Sequence, residues 1–429
     1  MKGRCNLILV LAICYAKASF LSAFEPEDIF APSIGNVVIL PKVSLSTEHD
    51  DNILLLTDNS NKTGDFITTL SPQIALQYGQ NILDSNYVGL NYSSAFKWYQ
   101  ENQQINNESH QLSLNINYLK EGKFNFSGSD QINLDNNLLR GDERSYFVSL
   151  GSIDESKAIL VKRLTTNDNY RFEYIISPKT SVYIETNFDM IDYEEKPHYY
   201  NKTIFGDLVP GSLFDVSNFN NTVGYGWQAF PNLKFYGSFF YGITDADSNL
   251  DQSSYFPNSD YYGGHISAIG KLFEKVNAKI EIGYQERDFG DIKNRSSDRV
   301  HNLPIFAAEL SYQYSEKGLA AFGYRRGGRV AVENPNFALE TDLVTLDLNQ
   351  KIGSSGKFTA RLNASINLDN HYYIKGLRND ALRLVGGLSY RFNEWTASDI
   401  FYSYQNFSSN KADIDYTVNG LTFMVSVGY

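Results

Sequence analysis

Thiols are nearly absent from this 429-residue chain, which holds two Cys and three Met. A disulfide-stapled scaffold needs many more cysteines and is excluded. No uncharged apolar run approaches the roughly 20 residues that a membrane-crossing helix requires, so a helical membrane protein is excluded as well. A basic surplus is also missing. The chain has 37 Lys and Arg against 49 Asp and Glu, a net charge of -12. That balance speaks against nucleic acid as a partner.

What is present is aromatic. The chain contains 30 Tyr, 28 Phe and 3 Trp at a mean hydropathy of -0.34. A disordered chain does not carry this many rings. The composition fits a β protein, either soluble or barrel-forming in a membrane.

The first residues read as an export leader. Lys2 and Arg4 precede Asn6–Tyr15, an apolar stretch too short to span a bilayer. Residues 1–23 are expected to be a signal peptide cleaved after Ala18 or Ala23. Cys5 and Cys14 both fall inside it, leaving the exported chain without thiols, as suits an oxidising periplasm. Residues 24–38 are expected to be a periplasmic lead-in and 39–429 the folded body.

Period-2 alternation dominates that body. Leu112, Leu114, Ile116 and Tyr118 alternate with Gln111, Ser113, Asn115 and Asn117. Phe358, Ala360, Leu362, Ala364 and Ile366 alternate with Thr359, Arg361, Asn363 and Ser365. These runs exceed the 5–6 residues usual in soluble strands and match the 9–11 of a tilted membrane strand. Short turns recur at Ser177–Thr180, Phe230–Leu233, Phe273–Val276, Ser315–Gly318, Gly353–Gly356 and Phe392–Trp395. Longer polar stretches, among them Asp245–Ser259, Asp288–Asn302, Gly327–Asn336 and Asn370–Asp380, lie between them. Turns at one end and loops at the other are the asymmetry of an outer-membrane barrel. The expected fold is therefore all-β, a transmembrane antiparallel up-and-down barrel of about 18 strands, within 16–20, with both ends periplasmic. The segment Asp135–Arg163 is either a long loop, folded into the lumen as a plug, or one more hairpin.

The chain ends on Leu421, Phe423, Val425, Val427 and Tyr429 at alternate positions. A last strand of this kind, closed by an aromatic residue, looks like the insertion signal read by the barrel assembly machinery. Low mean hydropathy follows from averaging a lipid face with a wet one. Trp98–Tyr99, Tyr199–Tyr200, Tyr261–Tyr262, Tyr372–Tyr373, Tyr402 and Tyr404 are expected to form membrane-interface girdles in preference to a sugar-stacking track.

Three places carry a family resemblance. They are Val43–Ile53 with its Asp51-Asn52-Ile53 ending, Tyr170–Tyr193 with its Ser177-Pro178 turn, and the closing region with Phe392–Trp395, Ser409-Asn410, Asp415-Tyr416 and Asn419. In these the chain resembles the β-barrel porin 2 family over about residues 37–429. The resemblance implies the outer membrane of a Gram-negative bacterium, a channel or export role beside capsule or exopolysaccharide synthesis, and no catalytic residues.

No enzyme chemistry stands out. His49, His110, His198, His265, His301 and His371 are scattered and make no metal spacing. No cofactor, metal or catalytic residue is expected. The functional expectation is a porin-like channel passing polar solutes or exporting exopolysaccharide. The rivals are a plugged structural or adhesive barrel and, less favoured, a lipid-acting barrel enzyme. The expected lumen charges are Glu281, Arg325, Asp347, Arg361, Arg383, Arg391 and Asp399. The arginines are expected either to form a cationic stripe or, the favoured reading, to pair with acids such as Asp347, Glu281 and Asp399. Expected partners are outer-membrane lipid, the assembly machinery and polysaccharide or export-complex proteins.

Overall fold

The computed structural model describes residues 31–56, 62–79, 86–138, 160–194, 199–204, 207–211, 215–247, 258–289, 299–330, 338–371, 378–410 and 415–428. The leader, Tyr372–Tyr373, Tyr429 and 139–159 lie outside them. The strands are β1 (Ser33–Ile34), β2 (Val37–Asp50), β3 (Asp65–Tyr78), β4 (Asn86–Tyr99), β5 (Asn107–Lys120), β6 (Phe124–Leu138) and β7 (Leu160–Ser177). They continue as β8 (Thr180–Tyr193), β9 (Tyr199–Ile204), β10 (Asp207–Gly211), β11 (Asp215–Phe230), β12 (Leu233–Asp247), β13 (Ser259–Phe273) and β14 (Val276–Asp288). The last are β15 (Val300–Ser315), β16 (Gly318–Val330), β17 (Ala338–Ile352), β18 (Phe358–His371), β19 (Arg378–Arg391), β20 (Thr396–Ser409) and β21 (Tyr416–Gly428).

Each long strand pairs antiparallel with its sequence neighbour, and β21 returns to β2, with Lys42 opposite Gly428 and Asp50 opposite Gly420. The main sheet has 19 strands; setting aside the two-residue β1 leaves 18 in a closed ring. The short β9–β10 pair forms a separate hairpin. Closure leaves no unpaired edge, the one way a sheet can cross hydrocarbon without orphaned backbone groups. The strand count settles the 135–163 alternatives in part: β6 and β7 pair directly from Asp135 opposite Arg163 to Leu138 opposite Leu160, with no strand between them in the ring. The plug reading falls on 139–159, outside the described residues.

The ring strands run 13 to 18 residues. At about 3.3 Å per residue and 40° tilt, even the shortest stands roughly 33 Å tall, more than the 25 Å apolar band of such barrels. All six anticipated turns join neighbouring strands at one end. Several boundaries differ from expectation, since strands also enter the expected loops at Asp245–Asp247, Val300–Asn302, Asn370–His371 and Arg378–Asp380. β2 begins at Val37, before residue 39, and Gly327–Val330 extends β16 instead of opening a loop, because each pairs with an existing strand edge.

One face of the ring is apolar and exposed. Val182, Ile184, Val223, Tyr225, Phe239 and Ile266 are among its residues, together with Leu421 and Phe423 of the last strand. Exposed apolar side chains around a closed ring mark the lipid face, and this wall is that of an outer-membrane β-barrel. The tyrosine doublets split across it. Trp98, Tyr262 and Tyr402 face out, whereas Tyr99 and Tyr261 are buried on the inner face. Adjacent strand residues point to opposite faces, so no doublet can sit wholly in a girdle.

Candidate functional site

The inner face is set by register. Tyr183, Glu185, Asn187 and Asp189 of β8 stand opposite Glu173, Arg171, Asn169 and Asn167 of β7. The same alternation places Lys279, Glu281, Gln285 and Arg287 of β14 inward. All seven charges expected in the lumen lie on this inner face. Ala307 stands opposite Arg325, Asp347 opposite Asn363, Ser365 opposite Arg383, and Ser389 opposite Asp399.

The lumen wall has two unlike sectors. On β4–β6 the inward residues at mid-height are neutral amides and hydroxyls, with Lys97 and Asp135 nearer the extracellular end. One row reads Asn91, Ser113, Gln131 and Asn167, and the next Ser93, Gln111, Asn133 and Thr165. Gln73 donates to Asn91 at 2.9 Å, and Asn133 donates to Thr165 at 3.0 Å. β16 stands nine strands from β5 in the ring order, half-way round. There begins a column of exposed arginines, Arg325 on β16, Arg361 on β18, and Arg383 and Arg391 on β19.

The favoured pairing of these arginines with lumen acids is not seen. None of the four makes a side-chain hydrogen bond or close ion pair with another described residue, although Arg325 acts electrostatically on Asp189. The acids are engaged elsewhere. Asn363 donates to Asp347, Ser389 donates to Asp399, and Glu281 lies 3.8 Å from His265. In each case a cross-strand or adjacent neighbour is nearer than any arginine.

A second ionic group is tightly knit. Lys234 and Ser181 both donate to Glu173, and Arg171 donates to Glu185 at 3.2 Å. The Arg171 guanidinium lies 3.7 Å from the centre of the Tyr183 ring. Tyr183 in turn lies flat over Gly224, where an added Cβ would come 2.3 Å from the ring. Beside this group is an alcove of about 790 Å³ in the wall from β7 to β16. It includes Asn187, Asn220, Phe240, Tyr261, Gln285 and Arg325.

The extracellular mouth is built at the seam, and this the sequence reading missed. Residues 51–56 fold inward after β2. Ile53, Leu54 and Leu56 pack with Ile67, Tyr99 and Ile105, while Leu55 packs with Phe407 and Tyr416. Asn52 is fully buried; its amide donates to Leu56 O and Thr417 O, and its carbonyl accepts from Leu56 N–H. Leu55 adopts φ +52° to close the turn. The available signal was the apolar run Ile53–Leu56 in a position the barrel pattern leaves as a polar loop. Nearby, Asp65 accepts from the backbone N–H of Gln100, Glu101 and Asn102 and holds the next loop down. Among the described residues no group of His, Cys, Asp and Glu is arranged to hold a metal.

No family model matches the chain. No curated protein matches it either. The likeness to the porin 2 family therefore remains one of short motifs. Among solved structures, the chain is similar to vanillate-bound OpdK of Pseudomonas aeruginosa at 8% identity and TM-score 0.43, covering 92% of this chain and 98% of that one. OccAB4 of Acinetobacter baumannii is similar at 11% identity and TM-score 0.41, with 90% and 97% covered. The FrpB iron transporter of Neisseria meningitidis is similar at 10% identity and TM-score 0.43, with 86% and 62% covered.

Proposed function

We propose that this barrel is a passive channel for polar solutes that favours anions. The observation that carries the reading is the exposed arginine column, Arg325, Arg361, Arg383 and Arg391, free of close ion pairs with described residues on one side of the lumen. Barrels of 16–18 strands are wide enough to leave an aqueous channel, whereas eight-stranded ones fill with side chains. A row of guanidinium groups without close ion pairs against a low-dielectric wall raises the local concentration of anions. The amide-rich wall stands opposite Arg325, whereas β7 and β8, opposite β18 and β19, carry Arg171, Glu173, Glu185 and Asp189 inward. The reading includes no catalytic step. Its wider partners are outer-membrane lipid and the machinery that inserts barrels.

Export of an anionic exopolysaccharide is the finer form of this proposal and rests on the motif resemblance. Reversal potentials in a KCl gradient across planar bilayers test the coarser form. Chloride preference is expected, and a cation preference or no current would overturn it. Block of that current by an acidic polysaccharide, and none by a neutral polymer of equal size, tests the finer form.

A further inference from the structure

The alcove between β7 and β16 has an unusual inventory of spare hydrogen-bonding capacity. Most of its charges are already satisfied. Arg171 is held by Glu185 and stacked on Tyr183, Asp189 accepts from Asn218, Glu281 lies 3.8 Å from His265, and Lys279 lies 4.0 Å from Glu309. Arg287 donates to Thr244 and Ser259 and lies over Tyr261. Arg325 stands at the rim and belongs to the arginine column. Two neutral amide atoms within it have no partner among the described residues. Gln285, only 6% exposed, has a buried Nε2 with no acceptor. Asn220 has a buried Oδ1 with no donor. A buried polar atom left unpaired costs free energy, so two in one cavity call for a partner.

Register fixes how these atoms are disposed. Thr222, Phe240, Gly263 and Gln285 form one cross-strand row, and Asn220, Gly242, Tyr261 and Arg287 form the next. The Phe240 ring lies across Gly263, where a Cβ would meet it at 2.5 Å. Tyr261 lies across Gly242 in the same way. An amide donor and an amide acceptor therefore flank a floor of two rings. They are three strands apart, about 14 Å at the usual strand spacing. An oligosaccharide covers that span and a single small anion does not. Hydroxyls both donate and accept, so different hydroxyls along one oligosaccharide can answer the two spare groups.

We infer that this alcove is a subsite for a neutral oligosaccharide, held by Gln285 and Asn220 over Phe240 and Tyr261. It rests on the channel reading in that solute must enter the lumen to reach it. It differs from that reading in its ligand, since the arginine column selects charge and the alcove selects hydroxyls.

The test uses the full-length refolded barrel, with maltotriose as probe and gluconate as competitor. Equilibrium dialysis in detergent reads binding, and planar-bilayer current reads passage. Saturable maltotriose binding is expected, unaffected by gluconate. Gln285→Met and Asn220→Leu should each weaken it about three- to tenfold, the worth of one hydrogen bond. Heat-modifiable migration and unitary conductance should stay unchanged in both variants. If one variant does not fold, the other and the wild-type measurement decide. Current without saturable binding would overturn the subsite and leave the channel. Binding without current would support the subsite and overturn the open channel. Unchanged affinity in a folded variant of both positions, or displacement by gluconate, would overturn the subsite.

Discussion

Asp51 and Asn419 grip one another across the barrel seam. Asp51 N–H donates to Asn419 O at 3.1 Å, Asn419 N–H donates to Asp51 Oδ1 at 2.7 Å, and Asn419 Nδ2 donates to Asp51 Oδ2 at 2.7 Å. These residues are 368 positions apart in sequence. The contact continues the β2–β21 ladder beyond its last pair, Asp50 with Gly420. It also roots the inward-folded segment 51–56 on the strand that closes the ring.

Loss of this grip should weaken the seam. Asp51→Ala and Asn419→Ala should each cost about 1–3 kcal/mol, because each leaves charged or amide groups without their partners. The double variant should cost much less than their sum. The temperature at which the folded band is lost on a heat-modifiability gel measures this. Simple additivity would show that the pair does not act as a unit.

Asn52 should be still less replaceable. Asn52→Leu removes the partners of Leu56 N–H and Leu56 O, and one of the two side-chain donors to Thr417 O, in a fully buried place. Segment 51–56 should then leave the mouth, and limited proteolysis should cut it in the variant and not in the wild type. Equal resistance would mean that the leucines alone hold it.

Selectivity should follow the arginine column. Arg361→Gln with Arg383→Gln should lower chloride over potassium permeability several-fold, and the difference should shrink as salt rises through screening. The matched exchange Lys271→Gln, on the inner face near a turn, should do less. Reversal potentials at low and high KCl give the comparison. Unchanged selectivity would leave the column structural.

The outer wall carries one local conflict. Asp130 and Asp168 face each other directly across β6 and β7, on the face that also bears Ile132, Leu134 and Phe172. Tyr170 OH donates to Asp130, which eases one carboxylate only. Like charges directly opposite destabilise a sheet. Asp168→Asn should therefore stabilise the barrel by about 0.5–1 kcal/mol, through lost repulsion and a gained amide donor. A lower unfolding temperature would indicate that something else covers the pair.

Glycine at Gly263 should resist change. A Cβ there would lie 2.1 Å from Tyr284 O and 2.5 Å from the Phe240 ring. Gly263→Ala should destabilise by about 1–3 kcal/mol, since backbone as well as ring must yield. Wild-type thermal stability in that variant would show that the two strands separate freely.

Much of the wall was legible from the residues in order. The Phe358–Ile366 and Leu112–Tyr118 alternations place their side chains as anticipated, because a period of two fixes the face of every residue once one is known. The turns at Ser177–Thr180 and Phe230–Leu233 were legible because they interrupt that period. The arginine column was legible as inward-facing. Its freedom from close ion pairs was not, since the choice between Asn363 and an arginine as partner for Asp347 depends on which strand lies beside it.

The sequence by itself determined a half-wet antiparallel wall. Alternation, strand length and the polar low-hydropathy composition all follow from a sheet with lipid on one side and water on the other. Only the tertiary structure decided how that wall closes. Bringing β21 back to β2 sets Asn419 beside Asp51 and gives the apolar run Ile53–Leu56 a pocket. Curving β11 to β14 around one cavity sets Asn220 and Gln285 on its two sides. Those pairings depend on distances through the lumen and across the seam, and a local period carries no information about either.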